Sequence, residues 1–185
     1  MSIANSTKQA FADALKLTLN TKELSAVRVQ ELCRLCGTER PTFYYHFRDK
    51  HDLIAWIYEQ DVARTLAMTG GIYGEKQLEE LLRIMQTEQV FYRKAFADST
   101  QNALLPYVQQ MILSAAESVL QVQLSKENLG QEDKFVINCM AYSWCRGLVD
   151  WIEGKYDLSA REYARLMFRY LSWPNIRDLP ANTLR

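Results

Sequence analysis

Gly37-Thr-Glu-Arg-Pro-Thr-Phe-Tyr-Tyr-His-Phe-Arg-Asp-Lys50 holds, in fourteen residues, a helix stop, a helix start and a second helix start. Gly37 follows a short apolar-periodic stretch from Val29 to Cys36, and a glycine there adopts the left-handed conformation that closes a helix without a side-chain clash. The next helix is expected from Glu39 to Phe47. Pro41 falls in its first turn, where the missing amide hydrogen removes no helical bond. Phe43 and Phe47, four apart, share one face and anchor it in a small core. Asp49 is the expected cap of a further helix running through Leu53, Ile54, Ile57 and Leu66 toward Gly70 and Gly71.

Working outward, Ala10, Phe11, Ala14, Leu15 and Thr18 line one face of a helix between Thr7 and Asn20, with Ser6 or Thr7 as its expected cap. Later helices are expected at about 75–87, 88–96, 101–124, 132–153 and 159–172, and no segment alternates as a strand would. The fold class is all-α. A small N-terminal unit, residues 1–52, precedes a larger helical unit, residues 53–185, with the helix after Asp49 bridging them and the Gly70, Gly71, Gly74 cluster forming the loop beyond.

The 185 residues are 48% hydrophobic, with seven glycines and four prolines, a composition that excludes disordered and fibrous classes. Formal net charge is zero, so any attraction to nucleic acid must be local. Residues 1–56 carry eight Lys and Arg against six Asp and Glu, a slight positive excess. The chain opens without a secretion-signal pattern and has no long apolar run, so a cytoplasmic protein without a membrane partner is expected.

Cys33 and Cys36 have metal-like spacing, yet they sit within one expected helix and no second ligand pair follows. Packing is the expectation for these two and for Cys139 and Cys145, with no metal and no cofactor. His46 and His51 are the only histidines, and no nucleophile elbow or phosphate-binding glycine loop occurs, so an enzyme is not expected.

Two short helices around a glycine turn, preceded by a third, make the minimum layout of a helix-turn-helix DNA reader. Arg40 stands at the end that enters the major groove, where a guanidinium pairs with guanine O6 and N7. Pro41 and the Thr42 methyl suit thymine methyl groups, while Thr42, Tyr44, Tyr45, His46 and Lys50 suit phosphate oxygens. An aromatic run is more often core, but two tyrosines facing away from Phe43 and Phe47 do not fit inside so small a unit.

The stretch from Gly37 to Lys50, including the Glu-x-Pro-Thr also present in the tetracycline repressor, closely resembles the signature of TetR-family transcription regulators, over residues 7 to 60. That resemblance implies that Gln30, Arg40, Pro41, Thr42, Tyr44, Tyr45, His46 and Lys50 touch bases or phosphates. Phe91-Tyr92-Arg93-Lys94 with Asn102, and the run from Gly147 to Gly154, resemble the branch of the family that includes dihydroxyacetone kinase regulators. Two positions depart from the pattern: Arg28 where a Thr or Ser cap is usual, and Glu39 where a Ser is usual.

Family members pair through their last two long helices, so Val136, Cys139, Met140, Ser143, Gly147, Tyr163, Met167, Tyr170 and Leu171 are the expected interface of a homodimer. Two copies reach half-sites about one DNA turn apart and imply a palindromic operator in double-stranded DNA. The family also implies a small-molecule effector in the larger unit, for which Phe91, Tyr107, Met111, Met140, Tyr142, Trp144 and Trp151 are the expected lining. Such an effector would shift the helix after Asp49 and change the separation of the two reading helices. A helical adaptor that binds a protein instead of DNA is the alternative class.

Overall fold

A computed structural model describes residues 3–100, 102–125 and 128–171. Among the described residues the chain forms nine α-helices and no strand: α1 Ile3–Leu19, α2 Val29–Leu35, α3 Arg40–His46, α4 Lys50–Met68, α5 Glu75–Thr87, α6 Gln89–Ala97, α7 Leu104–Leu124, α8 Gln131–Ile152 and α9 Ala160–Leu171. A single 3-10 turn, Leu24–Ala26, lies between α1 and α2.

The first four helices close around aromatic rings. Phe11 on α1 meets Phe43 edge-on at a centroid distance of 5.1 Å and Phe47 at 6.5 Å, an arrangement that adds to the burial of the rings themselves. Leu15, Leu19, Leu32, Leu53 and Ile54 complete this buried cluster. Gly37 does what its position requires: at φ +62° it lets the Thr38 amide reach the Cys33 carbonyl at 2.9 Å and its own amide reach Arg34 at 3.3 Å. This pair of bonds satisfies the last carbonyls of α2 and turns the chain toward α3.

Two details differ from expectation, and the caps of α2, α3 and α4 follow it. Helix α1 begins at Ile3, so Ser6 and Thr7 lie inside its first two turns and do not cap it. Ala10 is exposed, while Phe11, Ala14, Leu15 and Thr18 are buried, with the Thr18 hydroxyl donating to the Ala14 carbonyl at 2.8 Å. Neither Arg28 nor Glu39 makes a side-chain cap bond, whereas Asp49 accepts from the His51 and Asp52 amides at 2.8 and 2.9 Å.

Helix α4 belongs to both ends of the molecule. Its first half buries Leu53, Ile54 and Ile57, and its second half presents Asp61 and Thr65 to the larger unit. There the buried Tyr92 hydroxyl donates to Asp61 at 2.5 Å and the Gln77 amide donates to the Thr65 hydroxyl at 2.9 Å. These buried polar groups are tolerated because each has a partner. Helix α9 packs along α5 and α7 along α8, and the apolar core is continuous through both units.

Candidate nucleic-acid interface

Helix α3 has two opposed faces. Phe43 and Phe47 are buried, and on the other side Arg40 and Pro41 are exposed with Tyr44 (48% exposed) and Tyr45 (83% exposed). Thr42 and His46 flank that face and are half-buried. The Arg40 guanidinium lies 5.7 Å above the Tyr44 ring and donates to its hydroxyl at 3.4 Å, so ring and cation hold each other in the extended pose that projects from the helix start. Gln30 is exposed at the start of α2, beside the exposed Arg28. Gln30 on α2 and Arg40, Pro41, Tyr44 and Tyr45 on α3 are thus all open to solvent, with hydroxyls and a braced guanidinium but no carboxylate except Glu39 among the residues of α3 and its cap.

His46 stands with its ring against Tyr45, and burial, then the neighbouring Lys8, lower its pKa from the usual histidine value. At neutral pH it is therefore an uncharged hydrogen-bonding ring and not a cation.

Lys50 differs from its expected role. Its ammonium donates to the Leu24 carbonyl at 2.6 Å and to the Val27 carbonyl at 3.3 Å, which ties the loop before α2 to the start of α4. Burial lowers its pKa, with Asp98 opposing that effect, Arg28 adding to it and Asp49 opposing it. Two of its three donors are thus committed inside the chain instead of standing free toward solvent.

In the larger unit the seven expected lining residues do not converge. Phe91 and Trp151 are packed in the core, Trp151 donating to the Leu158 carbonyl at 2.8 Å. Tyr142 is 63% exposed and faces outward, while Tyr107, Met111, Met140 and Trp144 are half-buried. Tyr107 donates to Glu59 and lines a cleft of about 510 Å³ between α4 and the start of α7, together with Trp56, Asp52 and Asn102. A second cleft of about 430 Å³ lies beside Trp151, Gln89 and Tyr156.

The residues expected at a dimer interface divide in the same way. Val136, Cys139 and Ser143 are exposed on α8 and Met140, Gly147 and Met167 are half-buried. Tyr163 corrects the expectation: at 5% exposed it is already covered within the chain, its ring 5.2 Å from that of Trp151 and its hydroxyl 3.0 Å from where a side chain on Gly147 would begin. Gly147 thus lies close against Tyr163 within the chain. The side chains of Tyr170 and Leu171 lie outside the described residues. Phe135, 70% exposed, lies on the same helix one position before Val136 and is not among the residues expected there.

The chain matches the family profile described as bacterial regulatory proteins, tetR family, over residues 13–57, and one described as a transcriptional regulator C-terminal region over residues 75–172. It is 30% identical over 91 residues to the HTH-type dhaKLM operon transcriptional activator DhaS of Lactococcus lactis subsp. lactis (strain IL1403), a match spanning 49% of each chain. The match thus spans about half the length of this relative. Its fold is similar to that of a solved dihydroxyacetone kinase operon activator DhaS, with a TM-score of 0.63 and 22% identity over 90% of this chain and 94% of the other. It is also similar to NalD, the secondary repressor of the MexAB-OprM multidrug efflux pump in Pseudomonas aeruginosa, with a TM-score of 0.61 and 16% identity over 97% of this chain and 100% of that one. At those identities the two structures establish the fold.

Proposed function

The chain belongs to the TetR family of DNA-binding transcriptional regulators, and on that premise we propose that it acts as a homodimer on a palindromic operator under control of a small-molecule effector. The observation that carries the proposal is the division of α3, with Phe43 and Phe47 inside and Arg40, Pro41, Tyr44 and Tyr45 outside. Arg40 reads a guanine edge. Pro41 and Thr42 lie against thymine methyls, and Gln30, Tyr44, Tyr45 and His46 hold phosphate or base edges, with Lys50 acting on the loop before α2. The boundary of the DNA-binding unit is drawn at residues 1–52.

Dimerisation is supported by α8, where Phe135, Val136, Cys139, Tyr142 and Ser143 are exposed on one side of the helix. A continuous apolar stripe of this kind marks a surface that another molecule covers, and a twofold pair satisfies it with its own copy. Effector control is supported by α4, which is one uninterrupted helix from Lys50 to Met68 and enters both units. Half-buried Tyr107, Met111, Met140 and Trp144 are the lining residues that the proposal retains.

The relatives found are transcriptional regulators, and we assign no catalytic role. No described helix is long and apolar enough to cross a membrane.

The test is selection of duplex fragments from a random pool, followed by affinity measurements at several salt concentrations. The proposal expects an inverted repeat with half-sites about ten base pairs apart and affinity that falls as salt rises. Salt-independent capture of a protein, with no duplex enriched, would replace it with the adaptor class.

A further inference from the structure

The loop from Asn20 to Arg28 delivers the chain from α1 into α2, and apart from its 3-10 turn it has no regular structure. The loop satisfies part of its backbone itself, as where the Val27 amide donates to the Leu24 carbonyl at 3.2 Å, and the remaining carbonyls need donors from elsewhere. Two lysines from different helices provide some of them. Lys50, at the start of α4, binds the carbonyls of Leu24 and Val27. Lys94, on α6, donates to the carbonyls of Leu19 at 2.9 Å and Lys22 at 2.8 Å, and its ammonium lies 3.0 Å from a Glu23 carboxylate oxygen. An ammonium has three donors, and these three acceptors use all of them.

Helix α6 is fixed within the larger unit. Phe91, Tyr92, Ala95 and Phe96 are buried, the Tyr92 hydroxyl holds Asp61 of α4, and the Gln89 side chain donates to the Ile152 carbonyl at the end of α8 at 3.0 Å. Lys94 therefore carries the position of α6 to a loop in the DNA-binding unit. At the far end of that loop Val27 precedes Arg28 and α2, and Lys22 pairs with Glu31 on α2 at 2.6 Å. A shift of α6 pulls on the Leu19 and Lys22 carbonyls, and the loop passes it to α2 and its exposed Gln30.

We propose that Lys94 is a positioning residue for DNA binding, an ammonium of the larger unit that sets how the loop launches α2 and so where the α2–α3 pair meets the duplex. The sequence gives no sign of this role, because Lys94 lies 72 residues from Lys22 and its acceptors are backbone oxygens. The inference rests on the reading of α2 and α3 as the DNA-binding pair. It adds a residue on which no phosphate contact depends.

The experiment uses the full chain on a selected duplex, comparing wild type with Lys94→Met, Lys94→Gln and Lys94→Arg, and with Arg40→Ala as the control for the reading itself. Affinity is measured across a salt series, and amide hydrogen exchange is followed in residues 19–32. Lys94→Met is expected to weaken binding roughly tenfold, an effect of the size that coupling residues produce. The slope of affinity against salt should stay that of wild type, because no phosphate contact is lost. Exchange in 19–32 should accelerate, and Lys94→Arg, which still donates to carbonyls, should recover most of the affinity. If Lys94→Met does not fold, Lys94→Gln serves, with the same two signatures at smaller amplitude.

Wild-type affinity in the folded Met or Gln variant overturns the inference. So does a salt slope shallower by about one, which would make Lys94 a phosphate contact. Both results leave the α3 reading standing if Arg40→Ala still loses binding. If wild type itself shows no salt-dependent duplex binding, the reading of α2 and α3 fails and the inference fails with it.

Discussion

Helices α3 and α8 both leave aromatic side chains in water, but their neighbours differ. On α3, Tyr44 and Tyr45 stand beside Arg40, and one tyrosine is braced by that guanidinium. On α8, Phe135, Val136 and Tyr142 lie together with Cys139 and Ser143, and the nearest ion pair along the helix, Arg146 with Asp150, is self-satisfied. Hydroxyls beside a cation at a helix start match a polyanion, whereas a stripe whose exposed side chains are mainly apolar matches another apolar stripe. Exposed aromatics alone do not identify a partner; the side chains around them do.

The comparison breaks most visibly at the buried side of α3. Phe43→Ala removes a fully buried ring that contacts Phe11 and Phe47, and should cost about 3 to 5 kcal/mol in denaturant unfolding. If its cost were as small as that of a surface change, α3 would not be divided as described. Next in size, Phe135→Asp on α8 should weaken self-association by about 2 kcal/mol or more, seen by sedimentation as a shift toward monomer at fixed concentration. An unchanged association constant would remove α8 from the interface.

Asp49→Ala should cost about 1 kcal/mol through the lost cap of α4. Burial raises the Asp49 pKa, but the backbone amides of Asp52 and His51, the His51 ring and Asn102 together hold it below the usual aspartate value. Its folded pKa is depressed, so its stabilisation is complete above about pH 4 and fades as pH falls through the lowered value. Wild-type and Asp49→Ala melting curves should therefore converge in acid. A gap that persists there would assign the cost to something other than the carboxylate. The smallest effect is expected from Tyr45→Phe, which should leave stability within about 0.5 kcal/mol and reduce duplex affinity only a few-fold. A loss of stability instead would mean that the hydroxyl faces inward.

The helices and the α3 division were legible because they are written in local spacing: Gly37 where a left-handed turn is needed, Pro41 in a first turn, and Phe43 and Phe47 four apart. What the sequence left hidden depends on contacts between distant residues. Lys50 lies 26 residues from Leu24, and nothing local distinguishes it from a lysine facing phosphate. Gly147 reads as a place for a second helix, and its contact with Tyr163 of α9 is not written in local spacing. The start of α1 is hidden for another reason: Ser6 and Thr7 are good caps by type, but the residues before them also accept helix and extend it to Ile3.

The central claim is that the outward face of α3 reads duplex DNA. It is tested most directly by the affinities of wild type and Arg40→Ala for a selected operator and for a scrambled duplex of equal length, with both proteins shown folded by circular dichroism. The account predicts that Arg40→Ala loses roughly tenfold or more on the operator and much less on the scrambled duplex, so that sequence preference shrinks. Equal operator affinity for the two proteins, or equal losses on both duplexes, would contradict it.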